Sequence, residues 1–238
     1  MIGLFDSGLG GLSVVRAVRA VLPHHDLCYL ADTAFCPYGP LPADTVRARA
    51  LACAGWLVEQ GAGLVVVACN TATSAALEHL RATLPVPVVG MEPGIKPAVA
   101  ATRSGRVAVL ATSGTLGGAR FARLAGAMAD FARGDGPHAE AVVAAYVAPL
   151  IAEGVDTLVL GCTHFPPLRP LIAAVAPAAT IIDTGPAVAA QTARVATANG
   201  VGPGAARLRC ATTGDPETVA PALARVWGTA LPLEHAAC

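Results

Sequence analysis

Residues 64–73 read LVVVACNTAT, and residues 157–166 read TLVLGCTHFP. Each is a short apolar run, rich in β-branched residues, that halts at a cysteine with a threonine just behind it. An uninterrupted apolar run of strand length, without polar alternation, describes a strand buried on both faces. Strands of that kind belong to parallel sheets covered by helices, so these two stretches point to an α/β chain. They also pose a chemical question, because the same residue type closes both strands.

The rest of the chain fits around them. Further strands are expected at 2–6, 27–31, 86–90, 106–111 and 179–183, and the two opening runs give strands at 64–69 and 156–161. Between them, 13–22 and 44–61 repeat apolar residues at helical spacing, with Ser13 and Asp44 as N-cap candidates and Gly61 as the stop. The chain also resembles itself: GLFDSGLGG (3–11) matches VLATSGTLGG (109–118), a strand followed by Ser-Gly and a Gly-Gly helix entry. The two cysteines recur at a similar spacing. Both pairs point to two related halves that meet near Pro97–Arg106, giving an expected division into 1–98 and 99–207.

Composition narrows the class. The 238 residues suit two small domains, and a hydrophobic share of 54% supplies their cores. Sixteen basic residues balance 16 acidic ones, so no electrostatic reason exists to expect nucleic acid or an anionic membrane as partner. No apolar run is long enough to span a bilayer. Seven cysteines without a C-x-x-C pair argue against a zinc ribbon and for free thiols in the cytoplasm. A neutral, apolar surface favours self-association.

Ligands of parallel sheets sit beyond the carboxyl ends of the strands. The residues expected there are polar: Asp6-Ser7, Cys69-Asn70-Thr71, Thr112-Ser113, Cys162-Thr163-His164 and Asp183-Thr184. A cysteine between a strand end and a helix start meets unpaired amides and the helix dipole, which favour the thiolate. Cys28, Cys53 and Cys210 lie inside apolar runs and read as core residues. Asp6 reads as a helix cap or, before Ser-Gly-x-Gly-Gly, as part of a ligand site. His164 reads as a tuner of Cys162 or as a surface imidazole.

Two thiols facing each other suit the inversion of a carbon centre. One removes a proton from one face while the other returns a proton to the opposite face, with no cofactor or metal. A hydrolase would need only one nucleophile. SGLGG lacks the G-x-G-x-x-G spacing of dinucleotide sites, and the single lysine, Lys96, lies before a proline, a poor place for a pyridoxal Schiff base.

These motifs resemble the glutamate racemases of the aspartate/glutamate racemase superfamily. The resemblance is carried by GLFDSGLGGLSV (3–14), ADTAFCPYG (31–39), ACNTAT (68–73), GMEP (90–93), ATSGT (111–115), GCTHFP (161–166), IIDTG (181–185) and TTGD (212–215). It implies a cofactor-independent interconversion of L- and D-glutamate for peptidoglycan, in a cytoplasmic homodimer of two pseudo-symmetric α/β domains with the site between them. Cys69 and Cys162 would be the acid/base pair, supported by Asp6 and His164 respectively. Ser7, Tyr38, Gly39, Asn70, Thr71, Thr115 and Thr163 would surround the amino acid. The segment 208–238 would return to the first domain. The chain departs from the family in lacking, near 134–136, a strand and loop that carry a further glutamate. Superfamily members acting on aspartate or a hydantoin, and a racemase-like binding protein, are the alternatives.

Overall fold

The computed structural model describes residues 1–91, 94–111 and 136–238. In chain order the elements are β1 (Ile2–Asp6), α1 (Leu12–Val21), β2 (Leu27–Ala31), α2 (Ala43–Glu59), β3 (Leu64–Val67), α3 (Asn70–Thr83), β4 (Val88–Val89), α4 (Ile95–Ala101), β5 (Val107–Leu110), α5 (Gly136–Ala152), β6 (Thr157–Leu160), α6 (Arg169–Val175), β7 (Thr180–Asp183), α7 (Gly185–Ala198), β8 (Leu208–Thr212), α8 (Pro216–Trp227) and β9 (Leu233–His235). Short 3-10 turns lie at 33–35 and 166–168.

Among the described residues every strand pairing is parallel, as the apolar runs require. One sheet has the order β4-β3-β1-β2-β8-β9, the other β5-β6-β7. The run β1-β3-β4 of the first sheet has its counterpart in β5-β6-β7 of the second. Cys69 and Cys162 therefore each stand two residues beyond the corresponding strand, β3 or β6. The internal likeness read from sequence is thus an equivalence of position in the sheets. Its second glycine stretch, 112–118, lies outside the described residues, as do Thr115 and the first two residues, 134 and 135, of the expected splice at 134–136.

The first sheet is packed on both faces. Val46, Ala50, Cys53 and Leu57 of α2 join Ala72, Ala76 and Leu80 of α3 on one side. Leu12, Val15 and Val18 of α1 join Val188, Ala189 and Ala196 of α7 on the other. The second sheet is covered by Ala139, Val143 and Val147 of α5 with Ile172 of α6, and by α4 across β6 and β7. Strands β8 and β9 extend the first sheet beyond β2, and α7, expected within the second half, packs on α1. Among the described residues no helix is long and apolar enough to cross a membrane.

Two expected caps are corrected. Helix α1 has Gly11 at its N-cap, and the Ser13 hydroxyl donates to the Gly10 carbonyl, 2.9 Å. Asp6 does the work instead, its Oδ2 accepting from the Gly11 amide at 2.7 Å. A carboxylate five residues upstream thus satisfies one of the helix's orphan donors. Helix α2 begins after Pro42, and Asp44 pairs with Arg47 one turn on, 2.6 Å. Gly61 stops α2 as expected, with φ +92.

Candidate active site

Cys69 is the N-cap of α3, in extended conformation (φ −141, ψ 122), and only 4% exposed. Its thiol lies 3.9 Å from the Ser7 hydroxyl, which is 3.4 Å from Asp6 Oδ1. The expectation that the helix start would favour a thiolate is overturned. Burial first, then the charges of Asp6 and Cys162, push Cys69 well above the ordinary thiol range. The amides of Ala72 and Ser7 pull the other way and do not prevail. In the neutral range Cys69 is therefore a protonated thiol.

Cys162 is set up differently. No helix begins behind it, since α6 starts only at Arg169. Its partner is a side chain: Sγ lies 3.4 Å from His164 Nδ1. Burial disfavours the imidazolium of His164, but the charge and hydrogen bond of Cys162, a hydrogen bond to Cys36 and the charge of Asp6 outweigh it. His164 is therefore raised well above its ordinary value, and its proton is held through the neutral range. The pairing is lost as pH rises through that raised value. One cysteine is thus poised as an acid and the other stands beside a cation.

Asp6 joins the two sheets. Wholly buried, it accepts from the amides of Ser7 and Gly11, both at 2.7 Å, and from the Thr163 hydroxyl at 3.3 Å. The loop after β1 and the loop after β6 also meet directly. A Cβ placed on Gly10 would lie 2.7 Å from the Thr163 carbonyl carbon and oxygen and 2.8 Å from the His164 nitrogen. Gly10 is required for this approach, while a Cβ on Gly11 would meet Asp6 and Tyr29 and one on Gly8 the Cys36 sulfur. Lys96, the pyridoxal alternative, is exposed on α4.

A cavity of about 350 Å³ lies between the sheets, lined by Asn70, Thr73 and Met91 on one side and Val159, Gly161 and Thr184 on the other. Asn70 and Gly161 are the chain neighbours of Cys69 and Cys162. The Asn70 amide nitrogen is buried with no partner among the described residues, a donor held ready for an acceptor. Thr71 is buried beside it in the first turn of α3. Thr184, one of the polar residues expected at the strand ends, follows β7 as the N-cap of α7 and lines the cavity.

Tyr38, expected near the amino acid, is buried. Its hydroxyl donates to Asp32, and burial, Cys53 and Asp32 together raise it far above the phenol range. Asp32 is itself buried and receives Arg49 through Nε at 3.0 Å and Nη2 at 2.8 Å, and Thr213 at 2.6 Å. The tyrosine hydroxyl thus holds the turn containing Gly39. Two substitutions separate these roles. Tyr38→Phe should leave KM within about twofold and lower stability by about 1.5–3 kcal/mol, the value of one hydrogen bond to a charged group. Asp32→Ala should cost roughly 3–5 kcal/mol, because it strands a largely buried guanidinium. Urea unfolding and initial rates measure both. A large rise in KM for Tyr38→Phe would return the hydroxyl to the substrate.

A profile of the Asp/Glu/Hydantoin racemase family matches residues 12–130. The chain is 48% identical to the glutamate racemase of Roseiflexus sp., over 92% of this chain and 89% of that one. Among solved structures it is similar to a glutamate racemase isoform of Bacillus anthracis, with TM-score 0.86 and 28% identity over 100% and 97% of the two chains. It is also similar to Escherichia coli glutamate racemase in complex with L-glutamate and an activator, with TM-score 0.82 and 30% identity over 99% and 98%.

Proposed function

The chain belongs to the Asp/Glu/Hydantoin racemase family and is an amino acid racemase, and from that membership and the site geometry we propose that it interconverts L- and D-glutamate without a cofactor. The observation that carries the mechanism is the matched position of Cys69 and Cys162, each two residues beyond the equivalent strand of its own sheet. A thiolate on one face of the α-carbon removes the proton, and the thiol on the other face delivers one. In the reverse direction the roles exchange.

The electrostatics support the starting role of one of the two. Cys69, protonated by burial, is the acid, and Cys162, beside His164, takes the opposite face as the base. The cavity between the sheets would take the amino acid, with the unpaired Asn70 amide nitrogen donating to a carboxylate. Asp6 would act on Cys69 through Ser7 and on the second loop through Thr163. The same reading gives the D-glutamate to peptidoglycan and the reaction to the cytoplasm, the latter supported by seven free thiols. Ile95 and Val99, exposed one turn apart on α4, support assembly as a homodimer.

The test is α-proton exchange in deuterated water, with L- and D-glutamate offered separately and optical rotation followed alongside. Exchange with loss of rotation from both enantiomers is expected. Binding of glutamate without exchange would reject glutamate racemisation, and exchange only with aspartate or a hydantoin would keep the mechanism and change the substrate.

A further inference from the structure

Cys53 and Cys238 take no part in the proton transfer argued above, yet they are brought together. Cys53 is fully buried on α2, and Cys238 follows β9 and is partly exposed. A single atom, Arg49 Nη2, lies 4.0 Å from the Cys53 sulfur and 3.9 Å from the Cys238 sulfur. Arg49 Nη1 also donates to the main-chain oxygen of Cys238 at 3.0 Å, which fixes residue 238 against the helix. The guanidinium is in turn held by both oxygens of Asp32 and lies over the Phe35 ring at 4.1 Å. Two thiols therefore share one immobilised cation, one sulfur buried and the other reachable from solvent.

We propose that Cys53 and Cys238 form a thiol–disulfide exchange site whose co-substrate is a small-molecule disulfide of the glutathione type. The Cys238 thiolate attacks one sulfur of the reagent, forming a mixed disulfide and releasing one glutathione thiolate. The Cys53 thiol then gives up its proton and attacks the Cys238 sulfur, releasing the second glutathione thiolate and closing the Cys53–Cys238 bond. Two protein thiols are oxidised and one reagent disulfide is reduced, so the step balances. Reactivity follows the same order. The hydrogen bond from Cys53 lowers Cys238 to about 7, against burial and with help from Arg49. That bond and burial raise Cys53. An accessible thiolate beside a buried, protonated resolving thiol is the arrangement that such exchange uses. The closed bond would tie the segment after β9 to α2.

The experiment incubates the full chain with glutathione disulfide, blocks the remaining thiols by alkylation and maps the peptides by mass spectrometry. The expected product has lost two hydrogens, with the peptides containing Cys53 and Cys238 joined. The rate should climb along a titration centred near pH 7. Cys238→Ser should lose the joined peptide while racemisation stays at the wild-type rate. Cys53→Ala should stop halfway, with glutathione retained on residue 238. If Cys53→Ala does not fold, the wild-type map alone decides. Cys238 left freely alkylatable in the wild-type chain, or carrying glutathione stably there, overturns the proposal.

Discussion

Replacing Cys162 by serine is expected to lower racemisation by roughly 10²–10⁴-fold, the worth of one positioned acid or base, and Cys69→Ser should do the same. The more telling result is the pattern of what survives. On the proposed two-thiol mechanism, each variant retains one thiol, facing the α-hydrogen of only one enantiomer. Cys69→Ser should still wash the α-proton out of one isomer of glutamate, and Cys162→Ser out of the other. The fold should tolerate both changes, because serine keeps the shape of the side chain it replaces and finds polar neighbours, the Ser7 hydroxyl at Cys69 and the His164 ring at Cys162. The two should differ in pH behaviour as well. Cys69 is held protonated by burial and by the charge of Asp6, while Cys162 stands against a proton-holding His164. Initial rates and deuterium wash-in for both isomers read all of this. If both variants lost exchange from the same isomer, the two thiols would not stand on opposite faces.

The sheets were legible because a strand buried on both faces has to be apolar throughout. The runs ending at Cys69 and Cys162 are such strands, and so are 2–6 and 27–31, whose residues are all buried. The added pair at the sheet edge was not legible for the same reason. In β8 the run is broken by Arg209, which pairs with Glu234 of β9 at 2.6 Å, so neither strand reads as apolar. Long-range polar partners escaped too. Arg49 and Asp32 bond across a loop, and the Cys53 thiol, which reads as a core residue, finds Cys238 only because β9 returns to the first sheet. The sign of the shift at Cys69 was misread for a simpler reason. A helix start favours a thiolate, but sequence does not reveal the burial that chiefly opposes it, nor that a buried carboxylate, Asp6, stands close enough to add to the effect.

Gly10→Ala is the second large effect, and it tests whether the contact between the two loops matters to the chemistry. The added methyl carbon would lie 2.7 Å from the carbonyl of Thr163 and 2.8 Å from the His164 nitrogen. Real Cβ atoms do not approach that closely, and the obstruction is backbone, which cannot swing aside. The loop carrying Cys162, Thr163 and His164 must then retreat from the loop carrying Asp6 and Ser7. The Thr163–Asp6 hydrogen bond, already 3.3 Å long, would break first. A displacement of about 1 Å between reacting groups costs on the order of 10²-fold in rate, so kcat should fall at least that far while the chain still folds. Gly55→Ala supplies the control. Gly55 lies inside α2 with nothing within 4 Å of its would-be Cβ, so alanine there should stabilise by about 0.5–1 kcal/mol through helix propensity and leave kcat alone. The pair separates a methyl group that blocks an approach from one that meets open space. Near-wild-type kcat in Gly10→Ala would mean that the reaction does not need the two loops in contact, and that Asp6 and Thr163 serve only the fold.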